Sequence, residues 1–271
     1  MLANQYEQAH SLTLAYAVTA ALSVGAGISR MEDHSSGVAT VGAADAQTVR
    51  ATSFDLGALY TRAFDTAVGT WPVSVGWSLT NFGAQVERPD AFNPEPLPTL
   101  MRGGISAGYS YPATWLGRIL VGVHVDLALS KLTIRTTADE NGMVTADGPV
   151  KALFTTWQPL TVRTGNTDAD VFSLSVWEQL RRHSGMSITL LEALHLRAGR
   201  FWEHERNGAR QYNSVGWGLD LYYLTLDYSR ILDDDTPLAE TSFWRFGARV
   251  PLTAQARADD PWRALWQRLK R

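Results

Sequence analysis

The stretch ATSFDLGALY, residues 51–60, decides the fold class. Taken by twos, Phe54, Leu56, Ala58 and Tyr60 fall on one side, and Ser53, Asp55, Gly57 and Leu59 on the other. That period belongs to a strand lying between two unlike environments. In a water-soluble sheet the apolar row packs inward; in a membrane barrel it faces lipid. The chemistry of the other row separates the two cases.

That other row is small and polar throughout the chain. Val73, Val75, Trp77 and Leu79 alternate with Ser74, Gly76, Ser78 and Thr80. Ile105, Ala107, Tyr109 and Tyr111 alternate with Ser106, Gly108 and Ser110, and the residues from Val121 to Leu129 alternate with Gly122, His124, Asp126, Ala128 and Ser130. The pattern returns around Phe172, Leu194–Ala198, Val215–Leu219, Leu224–Tyr228 and Trp244–Val250. The uncharged stretch 11–29 alternates as well, so it reads as a strand hairpin rather than a signal-anchor helix. A soluble antiparallel sheet covers its wet face with Lys, Glu and Thr. This chain has only three lysines among 271 residues (Lys131, Lys151 and Lys270), against 22 glycines and 28 aromatic residues. Rows of Gly and Ser with an occasional Asp55, Asp126, His195, Arg197, Asp220, Asp227, Arg245 or Arg249 suit a crowded, wet lumen. The apolar rows end in Tyr60, Tyr109, Tyr111, Trp202 and Trp244, as interfacial girdles do.

Eleven strands of about 9–11 residues are expected, with no helix before the C-terminal tail. Their connections alternate in length. Short ones fall at 19–21, 63–71, 112–117, 183–187 and 221–223; long ones fall at 32–49, 82–98, 137–170, 203–212 and 232–241. An up-and-down outer-membrane barrel, with tight periplasmic turns and long external loops, follows this rule. The last strand then ends on the periplasmic side, so an eleven-strand count starts outside. An odd number of strands and a signal peptide are therefore expected upstream of Met1. The net charge of −3 argues against a nucleic-acid partner, and the absence of Cys removes disulfides and thiolate chemistry.

The ordered segments SFDLGALY (53–60), PVSVGWSLTNFG (72–83), LPTLMRGGISAGYSY (97–111), LHLRAGRF (194–201), VGWGLDLYYLTLDYS (215–229) and FWRFGARV (243–250) resemble the PorV/PorQ family of outer-membrane barrels. These are relatives of the FadL long-chain fatty acid channels. The likeness runs from residue 11 to residue 250. It implies a barrel of about fourteen strands that acts as a scaffold in type IX secretion and surface attachment. The expected partners are outer-membrane lipid and secreted cargo or secretion-system proteins, with a FadL-like transporter of small apolar solutes and a soluble β-sandwich module as alternatives. The domain expectation is a barrel over 1–252 and a linker with an amphipathic helix over 253–271. In that tail Asp260 and Pro261 serve as N-cap and N1, and Trp262, Leu265, Trp266 and Leu269 share one face.

No catalytic residue, cofactor or metal is expected. Glu203, His204 and Glu205 are adjacent, and neighbours along a strand point to opposite faces. Asp233–Asp235 with Glu240, and the Asp168/Asp170 pair, lack the Gly and distal Glu of a calcium loop. His124, Asp126 and Ser130 are too widely spaced along one strand for a catalytic triad. The site residues expected are instead a lumenal polar network of Asp55, Asp126, Arg197, Asp220, Asp227 and Arg245, with Asp126 and Asp220 set against Arg197 and Arg245.

Overall fold

A computed structural model describes residues 6–36, 46–84, 86, 95–115, 118–138, 144–163, 171–221, 223–232 and 241–248. It holds one sheet of eleven strands: β1 (Tyr6–Ala17), β2 (Leu22–Ser36), β3 (Ala46–Thr66), β4 (Gly69–Gly83), β5 (Leu100–Ser110), β6 (Val121–Leu132), β7 (Arg181–Leu190), β8 (Leu194–Trp202), β9 (Gln211–Asp220), β10 (Leu224–Ile231) and β11 (Ser242–Ala248). Their order in the sheet is their order in the chain. The topology is an antiparallel meander in which each strand pairs with the one before it. β1 and β11 stand at the two ends of that order, and no pairing closes them on each other among the described residues.

Residue contacts divide the chain into two compact units. One comprises residues 1–60, 76–103 and 129–180; the other comprises residues 61–75, 104–128 and 181–271. In the first unit the register lays like on like. Leu12 pairs with Ile28, Leu14 with Ala26 and Tyr16 with Val24 across β1 and β2; Ile28 then pairs with Phe54 and Ala26 with Leu56 across β2 and β3. On the opposite face Ser11 meets Ser29, the two hydroxyls 3.0 Å apart, and Gly27 meets Asp55. A slip of one residue would turn every apolar side chain to the other face. In the second unit Leu196, Trp217, Tyr228 and Trp244 follow one another in register across β8–β11, with Tyr228 and Trp244 rings 4.7 Å apart.

The polarity of the faces is the reverse of a soluble sheet. Along β4, Trp71, Val73, Val75 and Trp77 are exposed, while Thr70, Pro72, Ser74, Gly76 and Ser78 are half-buried. Phe54, Leu56, Ile105, Val125, Leu127 and Phe246 are likewise exposed, the last at 76%. The buried hydrophobic residues among those described are only Leu79, Leu97, Ala152, Leu174, Leu180 and Ile231.

Four expectations need correction. The short connection expected at 183–187 lies inside β7, and the strand expected around Phe172 pairs instead with Leu160–Arg163 in a separate two-stranded sheet, so the turn into β8 falls at 191–193. β2 and β3 stay paired as far as Ser36 and Ala46, so the loop expected at 32–49 is largely strand. Cross-strand contacts drive this extension: Glu32 accepts from Gln8 at 3.0 Å and from Arg50 at 2.9 Å. Strand lengths accordingly run from 7 to 21 residues rather than clustering near ten. A helix also precedes the tail: α1 (Pro149–Thr155) lies between β6 and β7. Pro149 supplies a pre-set first helical residue, and Asp147 holds the first turns by accepting from Lys151 at 2.7 Å and Thr155 at 2.8 Å. The helix expected at 253–271 lies outside the described residues.

Candidate functional site: charged nodes on the small-residue face

On β10 the carboxylate of Asp227 gathers two arginines. Arg245, directly opposite on β11, donates through Nη2 at 2.7 Å and Nε at 3.1 Å. Arg197 reaches it from β8, two strands away, donating through Nη1 at 2.7 Å. The intervening strand must be bare for this to happen. Gly218 of β9 sits opposite Asp227, and a Cβ there would fall 2.5 Å from the Asp227 Oδ1 and 3.2 Å from the Arg197 Nη2. The glycine of the VGWG run is thus the gap through which the ion pair passes.

The other expected network residues divide. Asp126 and Arg197 line one depression of about 350 Å³, floored by Gly185, Gly199, Ser214 and Gly216. Asp220 pairs in register with Thr225 at the end of β9, and His195 Nδ1 and the Thr189 hydroxyl are hydrogen-bonded at 3.0 Å. Asp55 belongs to the other unit, where it accepts from the Asn81 backbone N–H at 2.9 Å. Arg249 lies outside the described residues. Within the second unit the structure therefore brings Arg197, Asp227 and Arg245 into contact and sets Asp126 beside Arg197.

A second node escaped the sequence reading. Glu203, just past β8, is fully buried, and its two oxygens accept from Arg181 Nε and Arg210 Nε at 2.7 Å each. Burial pushes its carboxyl up, but the hydrogen bonds and charges of the two arginines outweigh this and hold it below the usual 4.5. Gly208, at φ 128°, completes the turn, since a Cβ there would fall 2.6 Å from the Glu203 Oε2. His204 turns away to cap a short 3₁₀ turn, its Nδ1 accepting from the Arg206 backbone N–H at 3.2 Å, and Glu205 is exposed. The acid–His–acid run is thus split three ways. The burial of Glu203 follows from contacts that the run itself does not display.

Lys131 is the third such position. It is 2% exposed; its Nζ donates to Gln179 Oε1 at 2.5 Å and lies 5.7 Å from the centre of the Trp157 ring. It fastens the segment between β6 and β7 from below. The only signal in the sequence was the rarity of lysine.

No group of three or more His, Asp or Glu side chains is placed to hold a metal among the described residues. Residues 166–170 and 233–240 lie outside them. No helix among the described residues is long and apolar enough to cross a membrane, which says nothing of strands. The fold defines an antiparallel meander with exposed apolar rows and ion pairs on its small-residue face. Compared with known proteins, the chain matches no family model and no characterised protein.

Proposed function

We propose that the chain is an integral outer-membrane β-barrel protein, non-enzymatic, that serves as a docking scaffold for secreted or surface proteins in the manner of the PorV/PorQ family. One observation carries the membrane part of this reading: along β2, β4 and β5 the apolar residues are the exposed row and the Gly and Ser residues the more covered one. In water this arrangement would forfeit the hydrophobic free energy that holds a sheet together, about 25 cal/mol for each Å² of apolar surface. In lipid the same row is solvated, and the backbone is satisfied by its neighbours.

The scaffold part is supported by the segment between β6 and β7. It is built from a hairpin (Thr136–Ala138 with Val144–Ala146), α1 and a second hairpin (Leu160–Arg163 with Val171–Leu174). It buries Ala152 and Thr156 and leaves Val150, Phe154 and Trp177 exposed, at 60%, 73% and 67%. A helix with its small residues inward and its large ones outward offers a protein-binding face. The Gly, Ser, Asp and Arg residues of the covered face weigh against a passage for apolar solutes.

Fractionation of the native protein tests the proposal. It should stay in the outer membrane through a carbonate wash, shift in mobility between unheated and boiled gel samples, and co-purify surface proteins that the F154A/W177A double variant loses. Recovery in the soluble fraction would overturn the membrane reading. Undiminished co-purification by the double variant would overturn the role of this face.

A further inference from the structure

The arginines of the second unit sort by face. On the small-residue side Arg197 and Arg245 share Asp227, and in the rim beyond β8 Arg181 and Arg210 share Glu203. On the apolar side, at the same end of the strands, Arg182 and Arg200 are exposed and meet no carboxylate among the described residues.

Register places them closely. Arg182 lies opposite Trp202 across β7 and β8, and Arg200 lies opposite Ser184, so the two arginines are diagonal neighbours about 7–8 Å apart at the backbone. Arg182 stacks its guanidinium 4.5 Å from the centre of the Trp202 ring, which leaves its edge donors facing outward. Arg200 faces Asn213 on its other side. One step further down the same face, Met186 meets Ala198 and Ala198 meets Val215; beyond these come Ile188, Leu196 and Trp217. Two guanidiniums and a tryptophan thus sit at the upper border of an apolar row, where acyl chains would give way to headgroups.

We propose that Arg182 and Arg200, backed by Trp202, form a seat for the phosphate of a membrane lipid headgroup, with the Met186–Ala198–Val215 step taking the start of its acyl chains. The inference rests on the membrane reading above. A guanidinium offers paired donors in a planar fork that matches phosphate oxygens, and two forks this close reach a single phosphate together. At the far end of β2 and β3 the chain neutralises two apolar-side arginines itself: Arg30 and Arg50 flank Glu32 at 3.7 Å and 2.9 Å. At Arg182 and Arg200 the counter-charge is left to come from outside. A lipid surface supplies it at the level that Trp202 marks.

The test uses the full chain folded into phosphatidylcholine vesicles doped with bisphosphorylated lipid A, or with the same lipid after removal of its phosphates. Lipid retained after gentle detergent extraction is read by native mass spectrometry. The wild type should retain the phosphorylated form at least tenfold over the dephosphorylated one. R182A/R200A should lose that preference while keeping its mobility shift on heating, and R102A, on the small-residue row of β5, should keep both. Equal retention of the two lipids by the wild type, or undiminished preference in R182A/R200A, would overturn the phosphate seat alone. Failure of the wild type to enter any vesicle would overturn both the seat and the membrane reading beneath it.

Discussion

Asp227, Gly218 and Glu203 show how much of this protein is settled by single side chains. A methyl group at Gly218 would displace the Asp227 carboxylate and cut off Arg197, but leave Arg245 in place. Because these groups are partly exposed, Gly218→Ala should cost about 0.5–1 kcal/mol in a urea unfolding series. The cost should shrink in an R197A background, where only the contact with Asp227 remains to be relieved, and a double-mutant cycle reads the difference. At Glu203 the carboxylate itself is fully buried, with Arg181 and Arg210 side chains 22% and 48% exposed. Glu203→Gln keeps the shape and strands two cations, so a loss of about 2–3 kcal/mol is expected near neutral pH. The sign with pH is fixed by the lowered carboxyl. Its pairing is complete above the unfolded value of 4.5 and fades as the pH falls through the folded value beneath it. The wild type should therefore lose its advantage over E203Q below pH 4.5, and a gap that widened in acid would contradict this assignment.

Individual elements differ in how plainly the sequence announces them. Period-two alternation located the main-sheet strands other than β7, because each separates an apolar row from a small polar one, and a 180° repeat needs no partner to be visible. β7 was missed: the alternation around Phe172 belongs to a side hairpin, and the turn expected at 183–187 is strand. The ends were not legible. β2 and β3 run on to Ser36 and Ala46 through cross-strand contacts such as Arg50 with Glu32, which depend on register rather than on any one strand's pattern. α1 was missed because it is only seven residues long and its inward side is Ala152 and Thr156, so it lacks the apolar stripe of a core helix. The sequence reading set Arg197 and Arg245 against Asp126 and Asp220, whereas both arginines contact Asp227. Arg197 meets Asp227 rather than Asp126 because a bare glycine opens the path between strands, and no single strand records that. Two tests belong to this scale. Lys131→Ala removes the fastening of Gln179 and Trp157, so protease should cut within 133–180 several-fold faster while the eleven strands stay protected. Val75→Arg on the 50%-exposed row of β4 should cost about 2–4 kcal/mol if that row lies in lipid. On a face bathed in water the same change would stay within about 0.5 kcal/mol.

For the whole molecule, the account proposed above is a sheet solvated by lipid on one side, and the sequential strand order and the exposed apolar rows support it. Antiparallel pairing from β1 to β11 makes ten reversals, so the two end strands run in the same direction. Closing them directly would introduce the sheet's only parallel joint, whereas an odd number of added strands would keep every joint antiparallel. The absence of Cys makes the account open to direct measurement, because each introduced thiol is the only one present. Single cysteines placed in turn from Thr70 to Ser78, in protein folded into vesicles, should react with a membrane-impermeant maleimide in strict alternation. Positions 71, 73, 75 and 77 should be shielded and carry a spin label quenched by lipid-soluble oxygen, while 70, 74, 76 and 78 label from the aqueous phase. Equal aqueous reactivity at 71, 73, 75 and 77 would contradict the account.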